Sequence, residues 1–157
     1  MIKKGFNAAY IDFILENIRK EDLQELRALW GDFWKKEAIN SFTNNDCIFS
    51  MVKDKNGAFI PIAVGGFQKV YKSNPEIVCV WLISTIFVEK NKKEFLKDVI
   101  SSIKKANKEY YIMYNYIYEA NTQAKKWLKK LGFNFENPKP KDVSVPEKFE
   151  FFYKTSK

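Results

Sequence analysis

The stretch from Tyr110 to Phe133, YYIMYNYIYEANTQAKKWLKKLGF, constrains the fold more than any other part of this chain. It reads as an apolar strand over Tyr110–Tyr118, a short turn, a helix opened by Asn121 as N-cap, and a stop at Gly132. Past Asn121 the apolar residues Ala124, Trp127, Leu128 and Leu131 recur at i, i+3, i+4 and i+7 and so share one helical face. Lys125, Lys126, Lys129 and Lys130 fall on the other side. A strand that feeds straight into an amphipathic helix needs a sheet to carry the one and a core beneath the other.

Upstream, the pattern supplies both. Met1–Lys4 reads as a short edge strand. From about Ala8 to Ile18, the residues Ile11, Ile14, Leu15 and Ile18 form one helical stripe; Leu23, Leu26, Leu29, Trp30 and Phe33 form a second, interrupted near Gly31. Both stripes are expected in the core, and residues 35–45 are expected as a loop. Asp54-Lys55-Asn56-Gly57 between two apolar runs, Cys47–Lys53 and Ala58–Tyr71, predicts a hairpin. Pro61 lacks a donor for the ladder, which predicts an edge or a bulge there, and Gly65-Gly66 predicts close backbone approach. Ile77 to Val88, IVCVWLISTIFV, has the length and β-branching of a central strand. Its polar members, Ser84 and Thr85, are read either as bonded to nearby backbone or as facing a cleft. Asn91 and Glu94 have capping-box spacing for a helix running to about Asn107, with Phe95, Leu96, Val99, Ile100 and Ile103 as its buried face. That helix makes a β-α-β crossover into the Tyr110 strand. A loop with Pro138, Pro140 and Pro146 and a last strand over Phe149–Tyr153 close the chain.

Composition narrows the chemistry. The 157 residues suit one domain. No histidine is present, so Ser-His and Cys-His nucleophile pairs and histidine-containing zinc sites are excluded within the chain. Cys47 and Cys79 are far apart in sequence and read as reduced strand residues. No apolar run has the roughly 18–20 residues of a membrane helix, and the first residues lack a signal-peptide pattern; a soluble, intracellular protein is expected. The net charge of +8 is uneven, with 11 basic against 10 acidic residues up to position 86 and 16 against 9 after it. Of the 27 basic residues 25 are lysine, as AT-rich codons would supply, whereas bidentate reading of bases favours arginine. The composition therefore argues against nucleic acid as a partner.

The order of elements, together with N-x-x-A-x-x-W-L-K-K-L-G-F at positions 121–133, resembles the GNAT N-acetyltransferase fold, whose last helix commonly reads N-x-x-A-x-x-x-Y-x-x-x-G-F. The resemblance implies an α/β (α+β) acyl-CoA N-acyltransferase fold, with a mixed, mostly antiparallel sheet flanked by helices. More narrowly, AYIDFILENIRKEDLQELRAL near the N-terminus, VWLIST at 80–85, EFLKDV at 94–99 and YNYIYEANTQAKKWLKKLGF at 114–133 resemble a phage-encoded branch of GNAT-like proteins that includes internal virion protein A of short-tailed coliphages. This implies a location in the host cytoplasm or the virion, with a virion or host protein as partner.

For the enzymes of the fold, the resemblance implies acetyl-CoA between the central strand and the next, its pyrophosphate on a Q/R-x-x-G-x-G/A loop at a helix N-terminus. Here that loop is Glu89-Lys90-Asn91-Lys92-Lys93-Glu94, and no glycine occurs between Gly66 and Gly132. Lys90, Lys92 and Lys93 are left as point charges for phosphate or as a solvated cluster. The tyrosine that many of these enzymes use as general acid is replaced by Leu128, which has no proton to donate. Tyr114, Tyr116 and Tyr118 read as packing or as cleft residues. Asn115 needs a hydrogen-bond partner or faces the cleft, and Glu76, Glu89 and Glu119 are unassigned candidates for a base. The positions expected to touch a CoA thioester are Ser84, Thr85, Lys92, Lys93 and Asn121. Two functions follow as expectations: a catalytically degenerate GNAT-fold protein, or an N-acetyltransferase moving an acetyl group from acetyl-CoA to an amine.

Overall fold

The computed structural model describes residues 1–43, 46–70, 72–136 and 145–156. Its elements in chain order are β1 (Ile2–Lys4), α1 (Ala8–Glu16), α2 (Lys20–Trp30), α3 (Trp34–Thr43), β2 (Ile48–Lys53), β3 (Phe59–Lys69), β4 (Ile77–Ser84), α4 (Lys92–Glu109), β5 (Ile112–Tyr118), α5 (Thr122–Lys130), β6 (Asn134–Phe135) and β7 (Phe149–Thr155). Short 3-10 segments at Gly31–Phe33 and Ile86–Lys90 join α2 to α3 and β4 to α4. The strands form one sheet in the order β1-β2-β3-β4-β5-β7-β6. All neighbours are antiparallel except β4 and β5, whose parallel pairing is the product of the α4 crossover. This is the mixed, mostly antiparallel sheet flanked by helices that the resemblance implies.

One face of the sheet carries the first three helices. Ile11, Ile14 and Leu15 of α1, Leu26 of α2 and Phe42 of α3 pack with Phe49, Met51, Val64 and Ile83 from the strands. On the other face, Phe95 of α4 and Trp127 of α5 pack with Val52, Ile62, Ala63 and Val88, while Ile103 of α4 packs with Val78, Met113, Ile117 and Phe152. The alternation along β4 and β5 explains the split, because successive strand side chains point to opposite faces.

The hairpin forms as predicted. The Asp54 carboxylate accepts from the amides of Asn56 and Ala58, and Gly57 takes a φ of 81° that favours glycine. Pro61 sits at a bulge: Ser50 pairs with Ala63 while Met51 pairs with Pro61, which leaves Ile62 as the extra residue. The Ile62 carbonyl is taken by the Thr85 amide at 2.8 Å and the Thr85 hydroxyl at 2.9 Å, so the bulge holds the end of β4. Gly65 and Gly66 are where backbones meet: a Cβ on Gly66 would lie 2.6 Å from the Asp46 carbonyl oxygen, and one on Gly65 2.7 Å from that of Trp81.

Several expectations are corrected. Residues 34–43 are helical, because Ala38 and Phe42 bury a stripe at i, i+4 that outweighs the turn-forming residues after them. Phe33 is 71% exposed, since the Gly31–Phe33 turn rotates it off the buried stripe, and Leu29 and Ile100 also face outward. Strand β4 ends at Ser84 rather than Val88; Thr85 accepts from the Phe87 amide and starts a 3-10 turn. Asn91 does not cap α4. Its side-chain amide donates to the Phe87 carbonyl at 2.9 Å instead. Cys79 lies in β4, whereas Cys47 immediately precedes β2 and donates its thiol to the Phe42 carbonyl at 3.4 Å; no disulfide joins the two. Pro138 and Pro140 lie outside the described residues.

The glycine contacts yield a stability prediction. Gly66→Ala forces a methyl group against the Asp46 carbonyl and the Trp81 ring, and should lower the unfolding free energy by about 1–3 kcal/mol in urea denaturation.

Candidate functional site

The parallel ladder between β4 and β5 is short, pairing Ile77 with Ile112, Val78 with Met113 and Cys79 with Tyr114. Beyond it the two strands diverge, and their facing backbone groups need partners from elsewhere. Asn115 serves both edges at the base of the opening. Its side-chain amide donates to the Val80 carbonyl at 2.6 Å and its side-chain oxygen accepts from the Tyr116 amide at 2.7 Å. The need for a partner that the sequence signals at Asn115 is met by this bridge.

Further out, the first turns of α2 fill the gap. The Ser84 amide and hydroxyl both donate to Asp22 Oδ2, at 2.8 and 2.6 Å. The Ser84 carbonyl accepts from the Arg19 amide at 2.9 Å, and the Arg19 guanidinium donates to Asp22 Oδ1 at 3.0 Å. Across the opening, Glu25 Oε1 accepts from the Tyr118 amide at 3.2 Å and the Asn121 side chain at 2.9 Å. Arg19, Asp22 and Glu25 are three residues apart, so one side of α2 presents them in a row. Arg19, Asp22, Ser84 and Asn121 are all buried.

Arg19 also ties the opening to the helices behind it. Its guanidinium lies over the Trp127 ring at 5.2 Å, and Trp127 in turn touches Phe95, the ring centroids 5.2 Å apart. The gap between α4 and α5 is therefore filled by side chains at this level. What remains is a cavity of about 170 Å³, with Glu25, Ser84, Asn115 and Asn121 at its polar part and Leu128 and Phe133 among its apolar walls. Small-molecule sites commonly enclose about 300–1,000 Å³. Ser84 sends its amide and carbonyl away from β3, so by the two-residue period Leu82 does too, and the Leu82 backbone faces the opening.

The structure brings together two of the five residues expected to touch a CoA thioester, Ser84 and Asn121. Asn121 caps α5 through the Ala124 amide as well as holding Glu25. Thr85 is fully buried and bonds to Ile62, away from the cavity. Lys92 is exposed and pairs with Glu89 at 2.8 Å; Lys93 is exposed on the outer side of α4. The N-terminus of α4 has no side-chain cap. Tyr114, Tyr116 and Tyr118 pack with Phe149 and Phe151 of β7. Leu128 joins the apolar cluster under α5.

Sequence reasoning missed Glu25 and Asp22. Asp22 lies inside the apolar stripe of α2, a polar residue where the helical period asks for an apolar one, and that was the available signal. Burial raises the Glu25 carboxyl from its ordinary 4.5 to about 7; the Asn121 and Tyr118 bonds and the Arg19 charge oppose the rise, and the Asp22 charge adds to it. Burial also pushes the Cys79 thiol up to about 11, which removes it as a nucleophile near neutrality. Among the described residues no cluster of acidic or cysteine side chains is placed to hold a metal, and no helix is long and apolar enough to cross a membrane.

The sequence matches no family model and no curated protein. Solved structures do match. The fold is similar to that of aminoglycoside 6'-acetyltransferase type Ii, with TM-score 0.66 and 14% identity over 99% of this chain and 97% of that one. Ribosomal-protein-alanine N-acetyltransferase from Brucella melitensis gives TM-score 0.66 at 9% identity, covering 99% of each chain. A GNAT superfamily phosphinothricin acetyltransferase from Sinorhizobium meliloti, solved with acetyl-CoA, gives TM-score 0.62 at 14% identity over 99% and 87%. The chain thus has the GNAT acyltransferase fold.

The carboxyl of Glu25 yields a pH prediction. The folded state holds this proton to a higher pH than the unfolded chain, so its contribution to stability is full below pH 4.5 and is lost as pH rises through about 7. Relative to Glu25→Gln, the wild type should lose on the order of 1–3 kcal/mol of unfolding free energy across that window. Parallel denaturation profiles of the two proteins against pH would contradict the assignment.

Proposed function

We propose that this chain is a catalytically degenerate GNAT-fold protein of phage or prophage origin, acting through contacts with a virion or host protein rather than by acyl transfer. The observation that carries the reading is the filled opening between β4 and β5. Asp22, Arg19 and the Asn115 amide occupy backbone groups that a bound thioester arm would need, and the Trp127–Phe95 contact spans the gap behind them. The residues do not fit acetyl-CoA in two further respects: the loop before α4 has no glycine to let backbone approach a pyrophosphate, and Leu128 stands where the fold commonly has its proton donor. The phage origin rests on the resemblance of the four sequence segments named above.

A second reading, an N-acetyltransferase using acetyl-CoA, is favoured by two observations. The Leu82 backbone faces the opening and suits pairing with an amide of a pantetheine arm, and the uncapped N-terminus of α4 presents free amides beside Lys90, Lys92 and Lys93. The solved relatives are N-acetyltransferases, one of them holding acetyl-CoA.

Isothermal titration with acetyl-CoA separates the two. The degenerate reading expects no heat of binding at millimolar cofactor and no CoA release over a broad panel of amines; micromolar affinity or turnover would replace it with the enzyme.

A further inference from the structure

The outer face of α4 carries a feature that the β4/β5 opening does not use. At 100° per residue, Lys93, Lys97, Lys104 and Lys108 fall within an arc of about 60°, making a straight ridge about 22 Å long. All four are exposed and none has a hydrogen bond or ion pair among the described residues, in contrast to Lys92 and Lys125, which pair with Glu89 and Glu150. The acids of α4 lie to one side of this ridge. Asp98 is engaged by the N-terminal ammonium at 3.1 Å and the Ser50 hydroxyl at 2.7 Å, and Glu94 and Glu109 flank the ridge near its two ends. The ridge lysines line a shallow open depression together with Ile100 and Ser101.

We propose that this ridge binds the phosphate backbone of nucleic acid without reading its sequence. A row of unneutralised positive charges attracts an anionic partner that is extended along it. Protein interfaces are depleted in lysine and enriched in tyrosine, tryptophan and arginine, none of which occurs on α4. A helix lying on a membrane needs a broad apolar face in reach of the acyl chains, and the apolar lining of the depression is limited to Ile100, 40% exposed, and the half-buried Leu96. Lysine, a point charge without the fork of arginine, suits phosphate contact and not base recognition. The expectation from composition against nucleic acid as a partner rested on base reading, to which lysine is poorly suited, and does not bear on backbone contact, which lysines in line favour. The inference goes beyond the reading of the β4/β5 opening and stands whether or not acetyl-CoA binds there.

The test is fluorescence anisotropy with labelled duplexes of about 20 base pairs and two unrelated sequences, at about 50 and about 200 mM salt. Both duplexes should bind alike, with affinity falling about 100-fold between the two salt concentrations if four phosphates are contacted. Lys97→Gln with Lys104→Gln should weaken binding at low salt and reduce that fall to about 10-fold, while Lys35→Gln with Lys36→Gln on α3 should leave both unchanged. Circular dichroism confirms that each variant is folded. No binding at low salt, binding that the α4 pair leaves intact, or ridge-dependent binding to phosphatidylserine vesicles without binding to DNA would each overturn the proposal.

Discussion

Three rungs of parallel pairing hold β4 against β5, and the structure depends on what happens where they stop. A strand edge released from its neighbour must find other partners or stay wet, and an unmade buried backbone bond costs about 1–3 kcal/mol. Here the partners are side chains: Asn115 at the base of the opening, Asp22 on Ser84, Glu25 on Tyr118. Since two of the three come from α2, the position of that helix is fixed by the divergence of the strands. Ile18 and Arg19 extend the effect, because Ile18 makes an isolated bridge to Thr85 and Arg19 donates its amide to Ser84, so the chain before α2 behaves as a short substitute strand.

The β-rich half of this arrangement was legible in the sequence. Asn56-Gly57, Pro61, Gly65-Gly66 and the Asn121 cap each carry a local backbone requirement, and each is met where it was expected. Among the described residues, four of the five helices were legible from periodicity, but α3 was not: Trp34–Thr43 reads as a loop until Phe42 is seen buried. The candidate site was legible in part. Ser84 and Asn115 were singled out as polar residues in apolar strands and Asn121 as a helix cap, whereas Thr85 turned out to serve the bulge at Ile62. Glu25 and Asp22 escaped because their partners lie more than sixty positions away, and spacing within a helix carries no information about a contact of that range.

Scaffold and chemistry separate in α5. Asn121, Ala124 and Phe133 keep the helix in place, with Asn121 bonded both to its own helix and to Glu25, while Leu128 belongs to the apolar layer beneath. Conserving a packing arrangement is compatible with many uses of the surface, and fold similarity below one-sixth identity speaks for the arrangement alone. The crossover helix illustrates the same separation: Phe95 and Ile103 build the core, and the four ridge lysines opposite make no hydrogen bond or ion pair among the described residues.

The central claim is that α2 occupies the opening between β4 and β5 in solution. Amide hydrogen exchange at Ser84 and Tyr118 tests it most directly, because each of these amides is bonded to an α2 carboxylate. The account predicts exchange at Ser84 and Tyr118 as slow as at the paired amides of β3 and β4, with no change on adding millimolar acetyl-CoA. Fast exchange at both positions in the free protein, or a change in their protection when acetyl-CoA is added, would contradict it.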